Sequence, residues 1–516
     1  MSTKISLDST QLLLVGLLLV ALYVGLHTKT RTSKHPPGPR GLPLIGNLLD
    51  MPASYEWLQY RKWSEEFKSD IIYLNILGTQ IVVTNTLEST LDLLEKRSSK
   101  YSGRHSFQLP NNCAMGWAWN LALMSYGDEW RAHRRLAARG FDAQAMPKFN
   151  HAFTRNTRGL LRRLLESPEA WNEHVRHEVG SMIIEITYGL DVLSKNDPFI
   201  ESADKGLATL ALAVVPGAFL VDTLPILKHI PSWFPGAGFK RKAKEWKRYA
   251  DEVLEAPYKA LKEEMASGAA KPSFVQRCLQ DMDPNIDTTN QERVIKNTAA
   301  EMYVAGADTS ASFIATFVLA MIQYPQVQRR AQAELDSVLG PDRLPTFGDM
   351  PSLPYLSAIT KECFRWEVIT PISIPHMLTE DDEYRGWFLP SGTVVIPNSW
   401  AIMNDPTVYP DPSVFNPERF LKDGKIDLEV QDPQLAAFGY GRRICPGMRV
   451  ANAFTWLSAG SILASFNISK PAAKDGTPIE LDVKYRSSSI RHPEAFDCLF
   501  KPRSENTRDM IVSAAA

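Results

Sequence analysis

The 516-residue sequence has almost no imbalance of charge, with 57 Lys and Arg against 58 Asp and Glu. Because a nucleic-acid-binding protein usually needs excess basic residues to neutralise phosphates, we expect no nucleic acid as a partner. The sequence also lacks internal repeats, low-complexity tracts and, after residue 50, long Gly/Ser linkers. Length alone suggests about three domains. Without linkers, one large body is as plausible as several small ones.

Cysteine is scarce, and its spacing shows no pairing. Five cysteines are scattered along the chain: Cys113, Cys278, Cys363, Cys445 and Cys498. This pattern is neither a disulfide framework nor a CxxC zinc site, and it is typical of a reducing compartment. Most isolated cysteines are buried, inert thiols. Only Cys445 has neighbours that favour another role.

One long apolar run lies at the N-terminus. Residues 9–28 contain no Asp, Glu, Lys or Arg, and a transmembrane helix needs about 20 such residues. Basic residues follow at once (Lys29, Arg31 and Lys34), so the positive-inside rule predicts a cytosolic body. A cleaved signal peptide is the alternative, but no small-residue cleavage site follows the run. We therefore expect a membrane anchor over residues 1–28.

The remainder predicts a mainly α-helical body with a minor β-sheet region. A basic, Pro-rich hinge is expected at 29–45, because the Pro-Pro-Gly-Pro run within it cannot propagate a helix. Extended runs at 71–77 and 80–85 predict a β-hairpin. Helical periodicity dominates 87–339, short extended pieces follow residue 370, and a final helix is expected at about 447–466. The catalytic body is expected to span 46–516.

The segment FGYGRRICPG, which begins at Phe438, contains the most informative cysteine. Cys445 lies in a tight loop that runs into a helix, whose free N–H groups are expected to lower the pKa of a thiol. Gly441 and Gly447 are expected to let the backbone approach a flat ligand. Arg443 carries a forked cation suited to a carboxylate. A structural cysteine in a Gly-rich loop is the alternative.

This segment is similar to FxxGxRxCxG, the haem-binding loop of the cytochrome P-450 superfamily, at every fixed position. The resemblance implies the cytochrome P-450 fold, with a single large catalytic domain behind the N-terminal transmembrane helix. It also implies haem b, iron protoporphyrin IX, with Cys445 as the axial thiolate ligand of the iron. The implied activity is a monooxygenase that inserts one oxygen atom from O2 into a small molecule. The resemblance covers nearly the whole chain.

A long apolar helix is predicted at about 294–324, and the run Ala-Gly-Ala-Asp-Thr-Ser interrupts it. Buried polar residues need partners, and the Thr309 hydroxyl is expected to bond to the Ala305 carbonyl. An ordinary buried helix with satisfied polar residues is the alternative. The run resembles the family's oxygen-activation motif. That resemblance implies that Gly306 makes room for dioxygen, while Asp308 and Thr309 deliver protons.

Three further motifs are weak singly but follow the family's order. Glu362 and Arg365 share a helix face, and with Arg419 of the PERF run they resemble the family's structural triad. Trp130 and Arg134, one helical turn apart, resemble contacts to one haem propionate. His376 resembles the other propionate contact. Each alone is more often a bland surface residue.

An anchored enzyme of this family resembles the microsomal type. That resemblance implies a single-pass protein of the endoplasmic reticulum membrane, in contact with membrane lipid, whose catalytic domain faces the cytosol. Electrons would come from a membrane flavoprotein, an NADPH-cytochrome reductase. Arg131 and Arg442 are candidate docking residues for that partner.

The segments that the family uses for substrate contacts are mostly apolar or aromatic here: 112–126, 207–234, 305–309 and 368–374. They predict a lipophilic, uncharged or aromatic substrate, unless they only pack the core or dip into the membrane. Residues 222–235 resemble fungal enzymes of secondary metabolism, whose substrates include terpenoids, indoles and polyketides. Two alternatives remain: a haem-thiolate isomerase or dehydratase without O2 activation, and a non-catalytic membrane-tethered haem or lipid binder. The Asp308-Thr309 pair argues against both.

Overall fold

The computed structural model describes residues 35–105, 108–112, 115–214, 219–223, 225–340, 343–471 and 477–514. The anchor predicted for residues 1–28 and the first part of the predicted hinge lie outside these ranges. Within them the chain is mainly helical, with one sheet of five strands and three sheets of two strands.

The helices, labelled in chain order, are α1 (Glu56–Glu66), α2 (Leu87–Leu91), α3 (Ser98–Tyr101), α4 (Asp128–Gly140), α5 (Asn150–Glu166), α6 (Trp171–Tyr188), α7 (Pro198–Ala213), α8 (Leu220–Thr223), α9 (Gly238–Ser267), α10 (Phe274–Gln280), α11 (Thr288–Gln323), α12 (Pro325–Leu339), α13 (Pro354–Trp366), α14 (Ser399–Met403), α15 (Gln434–Ala437), α16 (Met448–Ser465) and α17 (Glu505–Ala514).

The strands are β1 (Ile71–Ile76), β2 (Thr79–Thr84), β3 (Gly103–Arg104), β4 (His376–Met377), β5 (Asp382–Tyr384), β6 (Trp387–Leu389), β7 (Val394–Pro397), β8 (Leu421–Lys422), β9 (Lys425–Ile426), β10 (Phe466–Ser469) and β11 (Leu499–Pro502). The larger sheet has the order β1-β2-β7-β4-β3, in which only the β2–β7 pair is parallel. The remaining strands form the pairs β5–β6, β8–β9 and β10–β11.

Helix α11 forms the centre of the main hydrophobic core. It packs against α4, α6, α13 and α16, and its apolar residues are buried from Val294 to Ile322 apart from one short stretch. The Asp287 side chain caps its start by accepting the Asn290 backbone N–H. The helix ends before Pro325, because the residue that precedes a proline disfavours helical backbone angles. A long, all-round buried helix of this kind places its few polar side chains inside the protein.

The sequence predicted several of these elements. Strands β1 and β2 confirm the hairpin expected around Gly78, with Ile71 paired to Thr84. Helix α16 confirms the helix predicted at about 447–466, but it is not the final one, because α17 follows it. Helix α11 begins earlier than expected, because its Asp287 cap lies before the apolar run. Among the described residues α11 is the one helix long and apolar enough to span a membrane, and it is mostly buried in the core.

The described part of the predicted hinge belongs to the body. The Tyr73 backbone N–H donates to the Pro37 carbonyl at 2.9 Å, and a Cβ atom on Gly38 would lie 2.1 Å from the Tyr73 carbonyl oxygen. Gly46 forms a β-bridge to Ile76. Residues 36–46 therefore lie along strand β1.

Candidate active site

The loop that carries Cys445 is fixed by its own backbone. The Cys445 N–H donates to the Phe438 carbonyl at 2.7 Å, and the Arg443 N–H donates to the Tyr440 carbonyl at 3.1 Å. The Cys445 thiol in turn accepts backbone N–H groups of Gly447 and Met448. The sulfur therefore lies against the N-terminus of α16, as the sequence predicted.

The pKa of the Cys445 thiol is nonetheless raised. Burial is the largest influence and raises it, whereas the Gly447 N–H and the Arg134 charge lower it by less. The N–H groups at the start of α16 lower this pKa, as the sequence predicted, but the net shift is upward because desolvation of the thiolate outweighs them. A metal ion that binds sulfur displaces the thiol proton directly.

Two of the predicted site glycines make close contacts within the protein. A Cβ atom on Gly441 would lie 1.9 Å from the Leu94 carbonyl oxygen, and its φ of 53° is left-handed. A Cβ atom on Gly306 would lie 2.7 Å from Cδ1 of Ile183 in α6. Both glycines thus allow close packing between elements of this protein. A Cβ atom on Gly447 would meet nothing nearer than the Cys445 sulfur at 3.8 Å, an ordinary van der Waals distance.

Buried arginines surround this loop. The Arg443 guanidinium donates to the carbonyls of Ser102 and Met124 at 2.9 and 3.0 Å. Arg104, only 5% exposed, donates to the carbonyls of Ala122, Ile374 and Pro375 at 2.6–3.0 Å. These partners are neutral carbonyl groups. They accept hydrogen bonds from the two guanidinium groups but do not neutralise their positive charges.

The charge imbalance is large for a protein interior. Burial lowers the pKa of Arg104 well below its usual range, and it lowers the pKa of Arg443 to about 10. It also lowers the pKa of the half-buried Arg134, which lies close enough to Cys445 for the two charges to interact. Within the described ranges, no Asp or Glu oxygen lies within 4 Å of a side-chain nitrogen of Arg104, Arg134 or Arg443. Arg104 is buried, and Arg134 and Arg443 are half-buried. Without a carboxylate partner in the described ranges, these three cations favour an anionic ligand.

The structure brings the predicted propionate residues to this cluster. The buried Trp130 lies on α4, and the Arg443 guanidinium stacks over its ring at 4.5 Å. His376 of β4 pairs with Arg104 of β3. Its Nδ1 atom lies 2.8 Å from the Tyr101 carbonyl, and burial together with the Arg104 charge keeps its pKa well below the usual range. His376 is therefore neutral here, and Arg104 is the stronger anion site of the two.

A haem group fits these residues. It has one position for an axial sulfur ligand and two propionates that need cationic donors. The structure provides one thiol in the loop before α16 and three guanidinium groups around it, of which Arg104 is buried and the other two are half-buried. This match between the donors and the group is the observation that supports haem at this site.

Helix α11 supplies polar groups at its middle. The Thr309 hydroxyl donates to the Ala305 carbonyl at 2.8 Å, as the sequence predicted. Ala305 is exposed even though Met302, Tyr303 and Val304 before it are buried, so α11 is solvent-accessible at this turn.

Asp308, the neighbour of Thr309, belongs to a network of charged residues. Its Oδ1 atom lies 3.2 Å from Nη1 of Arg176 and 3.0 Å from Nε2 of His492. Arg176 also lies 3.7 Å from Asp204. A cavity of about 10 Å³ lies among Arg176, Asp204, Tyr303 and Ala307, which is roughly the space of one water molecule.

A second acid on α11, Glu301, has a different environment. It is 8% exposed, and it accepts the Leu121 N–H at 3.2 Å and the Ala122 N–H. Burial raises its pKa to about 7. Its charge also influences the Cys445 thiol.

The three residues of the predicted structural triad are in contact and buried. Both Glu362 oxygens accept from Arg365, each at 2.7 Å, and Oε1 also lies 3.2 Å from Nε of Arg419. The fork of Arg365 donates further to the Pro412 carbonyl at 2.8 Å. This network joins α13 to the 3₁₀ turn at Pro417–Phe420. Its contacts are consistent with a structural role.

Sequence reasoning missed four residues of the site: Arg104, Arg176, Glu301 and His492. Glu301 carried a usable signal, since a lone acid in an apolar helix needs an explanation. The others lie in segments of ordinary composition. Only their packing against α11 and the Cys445 loop reveals them.

Comparison with known proteins agrees with this geometry. Residues 36–495 match the family model described as Cytochrome P450. The chain is 45% identical to the tryptamine 4-monooxygenase of Psilocybe cyanescens, across 96% of this chain and 98% of that protein. It is 41% identical to Cytochrome P450 monooxygenase 98 of Postia placenta, across 98% of both chains. It is 42% identical to Cytochrome P450 monooxygenase ple1 of Rhodocybe pseudopiperita, across 93% of this chain and 92% of that one.

The chain therefore belongs to the cytochrome P450 family, as its loop motif predicted. It is a haem-thiolate monooxygenase whose cofactor is haem b with a cysteine ligand. It uses O2, a small-molecule substrate and a redox partner that supplies electrons. The alternative reading as an isomerase or a non-catalytic binder is not favoured by these relatives.

Proposed function

We propose that Cys445 is the axial ligand of the haem iron and that Arg104, Arg134 and Arg443 bind the propionates. The main support is that Arg104, which is buried, and Arg134 and Arg443, which are half-buried, have no carboxylate partner in the described ranges, and that burial lowers the pKa of each. Trp130 supports Arg443 by stacking. His376 accompanies Arg104, with which it pairs between strands.

The bound haem supplies dioxygen reduction and oxygen-atom transfer to the substrate. The chain supplies protons and a site that excludes bulk water. The Thr309 hydroxyl, which donates to the Ala305 carbonyl, would hold a proton for the dioxygen chemistry that the haem supplies. Asp308 lies beside it and is linked to the protein exterior by His492 and by the Arg176–Asp204 pair. Gly306 allows the close packing of α11 on α6 that sets this geometry.

The proposed substrate is a lipophilic aromatic compound of the indole class, and the proposed reaction is hydroxylation. Support comes from the relative named tryptamine 4-monooxygenase, which matches across nearly the full length of both chains. The aromatic residues expected near the substrate agree with this, since Trp117 and Trp119 are buried and their rings lie 5.2 Å apart. A biosynthetic role in secondary metabolism follows from such a substrate.

We further propose a single-pass anchor at residues 1–28, the endoplasmic reticulum membrane as location, and a membrane-bound NADPH-cytochrome reductase as electron donor. The apolar run and its basic flank support the anchor. Arg131 and Arg442 are candidate docking residues, because both are exposed and both pack over the Tyr126 ring at 5.4 and 5.6 Å. Two neighbouring cations of this kind suit an acidic partner surface.

The test is expression of the full chain with a fungal NADPH-cytochrome reductase. Tryptamine and other indoles, terpenes and phenolic polyketides are supplied under ¹⁸O-labelled dioxygen. We expect NADPH-dependent hydroxylation of an indole that carries one labelled oxygen atom. Turnover of only terpenes or polyketides would contradict the indole assignment.

A second measurement tests the ligand. Cys445→Ala is expected to abolish the shifted Soret band of the reduced carbon monoxide complex. Cys278→Ala is the matched control, because Cys278 is a half-buried free thiol whose pKa burial raises to about 11. A normal shifted band in Cys445→Ala would remove the ligand assignment.

A further inference from the structure

Glu301 lies on the same face of α11 as the oxygen-activation residues. Positions 301, 305 and 309 are spaced by four, so their side chains form one ridge along the helix. The last two members are Ala305, which is exposed, and Thr309. Glu301 is therefore about two turns, or roughly 12 Å along the axis, from Thr309. A molecule that contacts Thr309 and Ala305 would need about that length to reach Glu301.

The Glu301 carboxylate has hydrogen-bond partners but no counter-charge. It accepts the backbone N–H groups of Leu121 and Ala122. Across the part of the chain that the structure describes, no Lys, Arg or His nitrogen lies within 4 Å of its oxygens. The Glu301 side chain is 8% exposed, so ionising its carboxyl without a nearby cation costs free energy. Burial accordingly raises its pKa to about 7.

Fastening the 121–122 segment to α11 does not require an ionisable group. A glutamine at position 301 would accept the same N–H groups through its carbonyl oxygen without any desolvation of charge. A buried acid at the substrate side of α11 is therefore better explained by a ligand that brings the missing positive charge.

We propose that the Glu301 carboxylate binds the ammonium group of an amine substrate and thereby orients its aromatic ring toward the haem. This inference rests on the proposed function, and it replaces the expectation of an uncharged substrate. The remaining contacts to the substrate are apolar or aromatic, as the sequence predicted. Glu301 is thus a specificity residue that distinguishes amines from neutral compounds of the same shape.

The experiment uses the full-length, haem-loaded protein in lipid nanodiscs. Binding of tryptamine and of indole-3-ethanol, a neutral analogue of similar shape, is followed by the blue shift of the Soret band and by calorimetry. Glu301→Gln is expected to raise Kd for tryptamine about 10-fold to 100-fold and to leave Kd for indole-3-ethanol nearly unchanged. Glu292→Gln is the matched control, because Glu292 lies on the same helix with a side chain that is 39% exposed.

Equal losses for both ligands would overturn the proposal and assign Glu301 to loop positioning. Unchanged affinity for tryptamine in Glu301→Gln would overturn it too. If the wild-type protein binds neither indole, phenethylamine and 2-phenylethanol serve as the second pair. If the wild-type protein then binds phenethylamine more tightly than 2-phenylethanol, and Glu301→Gln removes that difference, this inference is upheld although the indole assignment fails. No preference for either amine in the wild-type protein would overturn the inference.

Discussion

Asp308 of α11 and His492 of the C-terminal region are held together, with Nε2 of the histidine 3.0 Å from Oδ1 of the aspartate. Burial, the largest influence, raises the pKa of Asp308, but the His492 hydrogen bond and the charges of His492 and Arg176 together lower it. The lowered pKa keeps Asp308 ionised beside the His492 ring. A histidine can exchange protons with water, whereas an arginine remains protonated.

His492→Gln is expected to reduce product formed per NADPH by about tenfold, at the low end of general acid–base effects. The glutamine keeps a hydrogen-bond donor beside Asp308 but cannot carry a proton. The measurement is product, peroxide and NADPH consumption, together with the solvent deuterium isotope effect, which should increase.

The control for this substitution is His151→Gln, because the His151 side chain is 83% exposed and lies beside Glu185 rather than Asp308. If His492→Gln forms as much product per NADPH as the wild-type protein and shows the same isotope effect, protons reach Asp308 past Arg176 and Asp204 instead.

Thr309→Ala is expected to leave the carbon monoxide spectrum intact while diverting most electrons to peroxide, with a fall in product of about 10-fold or more. The reason is loss of the hydroxyl that donates to Ala305 in the resting protein. Thr309→Ser keeps this hydroxyl and should keep most of the coupling. Equal uncoupling of both variants would mean that the methyl group, and thus packing, is what matters.

Arg365→Met is expected to lower the free energy of unfolding by about 3–5 kcal/mol, because it leaves the Glu362 carboxylate buried with less compensation. Both side chains of this pair are 0% exposed. The measurement is the midpoint of urea unfolding at constant m-value. Lys205→Met, which breaks an exposed pair with Glu201, should change it by less than about 1 kcal/mol. Similar effects of the two substitutions would contradict a structural role for the triad.

Glu301→Gln is expected to stabilise the substrate-free protein in a pH-dependent way. The carboxyl has a pKa of about 7 when folded and near 4.5 when unfolded, so ionisation favours the unfolded chain as pH rises between these values. The gain should be absent below about pH 4.5, grow up to pH 7, and reach at most about 3 kcal/mol above it. Urea unfolding at several pH values measures this gain. A gain that does not vary with pH would show that Glu301 titrates normally.

Much of this protein was predictable from local patterns. The Cys445 loop, the Asp308-Thr309 pair and the Glu362–Arg365 pair all lie within short segments, where spacing alone places side chains together. The hairpin around Gly78 and helix α16 were predicted for the same reason. The pKa of Cys445 was not, because burial depends on the whole fold and here outweighs the helix N-terminus.

The sequence by itself determined the family and the class of reaction, because the motifs that indicate them consist of residues close together in the chain. Only the tertiary structure decided how charge is arranged around the site. Arg104 meets His376 through strand pairing, His492 meets Asp308 across the core, and Glu301 meets the Leu121 backbone. Electrostatic energy depends on distance and burial in space rather than on sequence separation, and for this reason the fold alone reveals which charges lack partners.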